Sequence, residues 1–219
     1  METTLIIIGG VLLGCLIGLS WFAGSDAPYV PTKTARIKKV LKIIGLKRSD
    51  IFWELGSGDG RVVIEAAKIG AISYGVEQSW IRVLYAKWKA RNLPNAYFIH
   101  GNIFSVIPAN AGIQLNTSSS ELDPRLPAAC LPVRQGRHGL RGNDIVDADI
   151  IFIFLLTQGV EKLEPLLKKN LKKGAKVITQ TFHFKNWKPY KKVLITDKNQ
   201  PNTLLGEEKY EGDFRIYKV

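Results

Sequence analysis

Six residues in one short stretch have types and spacing that could do chemistry: Glu54, Gly56, Gly58, Asp59 and Gly60, followed by Glu77 after Gly75-Val76. Glycines at alternate positions let the backbone turn sharply and approach a ligand that a Cβ would hold off. A carboxylate about twenty residues further on, at the end of the next strand, is placed to grip a ribose diol. The flanking text supplies the elements that this geometry needs. Ile51-Phe52-Trp53 reads as a buried strand, Arg61 to Lys68 as a helix, and Ile72 to Val76 as a second strand carrying Glu77 at its carboxyl end. Glu54, Gly56, Ser57, Gly58, Asp59, Gly60 and Glu77 together describe a site for a nucleoside cofactor.

The charges select among such cofactors. A dinucleotide fingerprint beginning at Gly56 requires glycine at position 61, where the chain has Arg61, and no Gly-Lys-Ser/Thr follows the turn as a P-loop requires. Glu54, Asp59 and Glu77 would repel a pyrophosphate but suit the sulfonium and ammonium groups of S-adenosylmethionine. The stretch from Glu54 to Gly60 resembles the first motif of class I methyltransferases, and Glu77 their ribose-binding acidic residue. His100-Gly101-Asn102 falls where that superfamily makes an adenine contact, with Asn102 standing where Asp is common; Asn102 reads equally well as a strand-end turn residue.

The rest of the chain is organised to hold such a site. Thr34 to Ile44 carries Ile37, Val40, Leu41 and Ile44 at helical spacing, stopped by Gly45. Trp80 to Asn92 is a basic amphipathic helix with Ile81, Leu84, Tyr85 and Trp88 as its apolar side. Ala96 to His100 is a third strand and Ala148 to Leu155 a fully buried parallel one. Val160 to Leu171 is the next helix, Ala175 to Thr181 a fifth strand, and Lys192–Thr196 with Phe214–Val219 a closing antiparallel pair. The expected fold is α/β: a mostly parallel sheet covered by helices on both faces, with the ligand beyond the carboxyl ends of the strands.

Two segments stand apart from the fold of that domain, taken as residues 34–219, one before it and one inserted within it. Leu5 to Ala23 is uncharged and apolar, and as a helix would span about 28 Å, enough for a bilayer core. Because the chain begins Met1-Glu2, without the basic start of a signal peptide, residues 4–24 are predicted to be a retained anchor. Gly10, Gly14 and Gly18 would line one face of it, as in close helix packing within lipid. Lys33, Arg36, Lys38, Lys39 and Lys42 follow, which places the domain on the cytoplasmic side of the cell membrane as a single-pass protein. Residues 25–33, with Pro28 and Pro31, are an extended linker. The second segment, 107–144, has no periodicity and is too long for an ordinary loop. Its ends, Val106 to Gln114 and Gly139 to Asp144, resemble translated palindromic repeat elements of bacterial genomes, so it is read as a passenger insertion and given no chemistry.

Composition narrows the rest. The 219-residue chain has two cysteines, Cys15 and Cys130, and neither lies in the core. No disulfide framework, thiolate metal site or cysteine nucleophile is expected, and no metal. The formal net charge is +12, with lysines crowding residues 162–176 and 185–192. Nucleic acid is one partner for such a surface, but a tethered domain facing anionic lipid gains from it directly, and the lipid reading is preferred.

The layout is similar to one family in particular: the membrane-anchored protein-lysine methyltransferases of the type that modifies the ATP synthase c subunit and the adenine nucleotide translocase. The similarity rests on the apolar N-terminal helix, Tyr29-Val30-Pro31-Thr32, Glu54 to Arg61, Gly75-Val76-Glu77, and Phe182 to Pro189. Phe154-Leu155-Leu156-Thr157 lacks the Asn/Asp-Pro-Pro-Tyr/Phe of amino-methylases of bases and glutamine. The resemblance implies transfer from S-adenosylmethionine to a lysine of a membrane-associated protein. Such a reaction needs a neutral amine in an apolar cleft, for which Tyr29, Phe154 and Phe182 are the candidate aromatics, with Phe184 and Trp187 behind them. His183 is left out as structural. The alternatives are an RNA methyltransferase, motivated by the lysines, and a non-catalytic S-adenosylmethionine-binding regulator.

Overall fold

The computed structural model describes residues 2–22, 30–107, 144–195 and 212–219. Seven strands form one sheet: β1 (Ile51–Leu55), β2 (Ile72–Glu77), β3 (Ala96–His100), β4 (Ile150–Ile153), β5 (Lys176–Gln180), β6 (Lys191–Leu194) and β7 (Asp213–Lys218). Their order is β3-β2-β1-β4-β5-β7-β6. The first five are parallel and β7 is antiparallel to both of its neighbours. Chain order therefore reverses between β1 and β4, and in parallel sheets this switch point opens a crevice beyond the strand ends.

The helices are α1 (Glu2–Phe22), α2 (Thr34–Ile44), α3 (Arg61–Ile69), α4 (Trp80–Lys89) and α5 (Thr157–Asn170). Alternation along the strands builds a core on each face of the sheet. Phe52, Ile150 and Phe152 point to the side where α2 supplies Ile37 and Leu41. Trp53, Leu55, Ile151 and Ile153 point to the other, against Leu163 and Leu167 of α5. The expected α2 forms with the predicted bounds, and Gly45 ends it in the left-handed region at φ 69°, its N–H returning to Leu41 and Lys42.

Three expectations shift. Helix α4 ends at Lys89, before Pro94, and most of its predicted apolar side faces outward: Leu84, Tyr85 and Trp88 are exposed and Ile81 is half-buried, while Arg82, Val83 and Ala86 are buried; Trp80 is exposed as well. Strand β4 is shorter than expected, and α5 starts at Thr157. Ile107, the first residue of the expected insertion, is buried in the core and belongs to the domain; residues 108–143 lie outside the described residues.

Helix α1 is continuous from Glu2 to Phe22, and its described apolar side chains are exposed. Among the described residues, no helix is long and apolar enough to cross a membrane. The side chains of residues 17 and 19–22, and all of 23–29, lie outside that description, so the described apolar stretch stops short of the expected 4–24 span.

Candidate functional site

The turn after β1 is shaped by three glycines in the left-handed region, Gly56 (φ 85°), Gly58 (φ 51°) and Gly60 (φ 77°). Gly56 N and Ser57 N both donate to Val76 O, at 2.9 Å each, which stitches the turn to the end of β2. Gly60 sits so close to its neighbours that a Cβ there would lie 2.5 Å from Phe98 Cε1 and 2.8 Å from Ala86 Cβ. At Gly75, opposite Glu54 in the sheet, a Cβ would meet Ser57 Cβ at 2.7 Å. Space excludes a side chain at both positions, and at Gly60 torsion does so as well.

Glu77 closes the turn. Its Oε2 accepts from Gly58 N and its Oε1 from Ser79 N, both at 2.9 Å, while Arg82 Nε lies 3.4 Å from Oε1. Each carboxylate oxygen has a second lone pair, so the group keeps acceptor capacity for a ligand's hydroxyls.

Glu54 differs in kind. It is 4 % exposed, and its Oε2 has no hydrogen-bond partner; the buried Ser57 Oγ has none either. Burial first, then the nearby charges of Asp59 and Glu77, push its carboxyl well above the usual carboxylate range, against the opposing pull of the Val63 N–H. Buried polar atoms without partners are rare in folded proteins. Two beside a glycine cradle are what a site for a cationic nucleoside requires, and the residues present fit S-adenosylmethionine.

Sequence groups Asp59 with these carboxylates, and the structure separates it. Its Oδ1 lies 2.9 Å from Arg61 Nε, and its Oδ2 2.9 Å from both Arg61 Nη2 and Lys89 Nζ. Burial opposes its charge, but these two cations outweigh it and hold its carboxyl below the ordinary value. Asp59 is thus a clamp between the glycine turn and α4. Asn102 is also structural here: it is exposed, and its Oδ1 accepts from Phe104 N at 2.9 Å, capping the short helix Ile103–Val106.

Sequence reasoning missed the strap over this edge. Arg61 Nη1 donates to Thr32 O at 3.0 Å, and Thr32 Oγ1 donates to Gln180 Oε1 at 2.8 Å. The Val30-Pro31-Thr32 segment is therefore tied to the glycine turn and to the end of β5. The signal available was that segment's place in the family resemblance.

The expected aromatic cleft is only partly assembled. Phe154 packs on the α2 side of the sheet and Phe182 on the α5 side, both half-buried beyond the ends of β4 and β5. Leu155 packs on the α5 side with Phe182, and its side chain lies over Gly56. Phe184 and Trp187 are buried with Tyr217 in an aromatic cluster and belong to the core. Tyr29 lies outside the described residues. His183 is held by Thr179 Oγ1 at 2.7 Å and Asp213 Oδ2 at 2.9 Å, next to Thr181 at φ 64°. Burial lowers its pKa despite Asp213. No group of residues able to hold a metal ion occurs among the described residues.

The raised Glu54 carboxyl has a measurable consequence. Folding holds its proton more tightly than the unfolded chain does, so this contribution to stability is complete below the unfolded-state pKa. It is lost as pH rises through the folded-state pKa. Glu54→Gln is expected to be more stable than the parent at alkaline pH in urea titrations. It should bind S-adenosylmethionine about tenfold or more weakly, the scale of a lost hydrogen bond to a charged group. Calorimetry in buffers of differing ionisation enthalpy should show proton release on binding by the parent and none by the variant. Equal proton release by both would remove Glu54 from the site.

Comparison with known proteins agrees with this geometry. A family model described as histone methylation protein DOT1 matches residues 19–107. A protein-lysine N-methyltransferase of Saccharolobus islandicus is 28% identical over 191 residues, covering 83% of this chain and 96% of that protein. The Homo sapiens lysine N-methyltransferase named for the c subunit of ATP synthase is 26% identical over 162 residues, 74% of this chain but only 54% of the relative's length. Among solved structures, an RNA methyltransferase from Salinibacter ruber in complex with S-adenosyl-L-homocysteine superposes with a TM-score of 0.58 at 22% identity. The match covers 87% of this chain and 94% of that one. At that identity the likeness establishes the shared class I fold.

Proposed function

We propose that this chain, an S-adenosylmethionine-dependent methyltransferase similar to protein-lysine N-methyltransferases, methylates lysine side chains of a membrane-associated protein. The observation that carries the reading is the similarity to the Saccharolobus islandicus protein-lysine N-methyltransferase, which covers 83% of this chain and 96% of that protein. The anchor is part of the proposal. It rests on the uncharged run from Leu5 to Ala23, the unbroken helix to Phe22 and the lysines that follow, which by the positive-inside rule put the domain on the cytoplasmic side.

S-adenosylmethionine supplies an electrophilic methyl group on a sulfonium. Glu54 and Glu77 would hold it through charge and ribose contacts, with the glycine turn giving close backbone approach. The acceptor amine must arrive neutral. Phe154, Leu155, Leu156 and Phe182, at the ends of β4 and β5, offer an apolar edge that disfavours an ammonium ion and so lowers its pKa.

The test is transfer of radiolabelled methyl from S-adenosylmethionine by the full-length protein to membrane fractions, followed by acid hydrolysis. Label is expected in methyl-lysine. Label confined to RNA would replace the protein substrate by a nucleic acid, and cofactor binding without transfer would make the chain a regulator.

A further inference from the structure

The outward apolar side of α4 has a composition that suits one environment. At about 100° per residue, Trp80, Leu84, Trp88, Ile81 and Tyr85 fill a contiguous arc of roughly 140°, while Arg82, Val83, Ala86 and Ala90 face the protein. Trp88 is 60% exposed and Trp80 45%. The flanks are Lys87 and Lys89, Arg91 follows, and the helix contains no acidic residue. Arg91 stands over the Trp88 ring at 5.1 Å and Lys89 over Tyr85 at 5.3 Å.

Tryptophan and tyrosine rimmed by lysine and arginine suit the boundary between acyl chains and anionic headgroups, where rings sit at headgroup level and cations reach the phosphates. Lysine is depleted at protein–protein interfaces, whereas this face runs over more than two turns of an exposed helix with Lys87 and Lys89 on its borders. Helix α1, whose described apolar side chains are likewise exposed, approaches α4.

We propose that the Trp80-Leu84-Tyr85-Trp88 face of α4 docks on an anionic bilayer surface. The inference rests on the membrane reading above and deepens it: Trp80 follows Glu77 by three residues and Lys89 bonds Asp59, so both ends of the docking helix adjoin residues of the cofactor turn.

Tryptophan quenching by brominated phospholipid tests the two membrane contacts separately. Full-length protein is reconstituted into vesicles of phosphatidylcholine and phosphatidylglycerol with brominated acyl chains. In a Trp21→Phe background, the reporters exposed to lipid are Trp80 and Trp88, since Trp53 and Trp187 are buried. Quenching is expected in the anionic vesicles, weaker quenching in phosphatidylcholine alone, and loss of quenching in Trp80→Ser/Trp88→Ser. Cofactor affinity of the double variant in detergent should be unchanged, which confirms its fold. Trp21 is read separately in Trp80→Ser/Trp88→Ser with Trp21 intact; its quenching there, with none from Trp80 and Trp88 in the Trp21→Phe protein, would overturn the docking face and leave the anchor standing, whether another protein or α1 covers the helix. Quenching from α4 with Trp21 silent would support the docking face and overturn the anchor.

Discussion

Glu77→Ala is expected to lower folding stability by about 3–5 kcal/mol, the cost of removing one partner of a buried ion pair, and to abolish detectable cofactor binding. Arg82 is 3 % exposed and its Nε lies 3.4 Å from Glu77 Oε1, so alanine removes a close counter-charge from a dry site. The same carboxylate accepts from Gly58 N and Ser79 N, and both donors would lose their acceptor. Urea denaturation and calorimetric titration with S-adenosylmethionine measure the two effects on one preparation. Glu77→Gln keeps the shape and one acceptor oxygen, so it should retain more of the stability than of the affinity. A Glu77→Ala protein as stable as the parent would mean that Arg82 draws its compensation elsewhere. One that binds the cofactor normally would deny Glu77 its place in the site.

Gly60→Ala should cost about 2–5 kcal/mol, combining about 1–2 for a left-handed residue with a Cβ and about 1–3 for overpacking. The steric part follows from the 2.5 Å approach to Phe98 and the 2.8 Å approach to Ala86. Gly45 supplies the internal control: its φ is 69°, yet nothing lies within 4 Å of its would-be Cβ. Gly45→Ala should therefore show the torsional cost alone. Thermal unfolding of both variants separates torsion from space. Equal losses would mean that Phe98 and Ala86 yield freely, and that the tightness of the cradle is not a constraint on it.

The site is legible in the sequence where its parts are close in the chain. The glycine turn joins adjacent elements, and the carboxylate at the end of β2 is one helix away, so spacing alone places Gly56, Gly58, Gly60 and Glu77. Glu54 is legible as a charge; only the unpartnered Oε2 distinguishes it from the equally buried Asp59, which Arg61 and Lys89 hold. The ion pair of Asp59 with Lys89 is not legible, because Lys89 is 30 positions away on a helix whose rotation about its own axis the sequence does not encode locally.

Local pattern determined which segments are strands and helices, their order, and the chemistry at the end of β1, because backbone propensity, glycine torsion and alternation act over a few residues. The tertiary structure decided what each apolar side meets. Periodicity gave α4 an apolar stripe, but packing against the sheet buried the Arg82-Val83-Ala86 side instead and left the stripe outside. It also decided the Thr32–Gln180 bond, between residues 148 positions apart, which draws the entry segment over the cofactor edge. A contact of that reach exists only once the whole sheet has formed, since its free energy depends on burial that no short window of sequence contains.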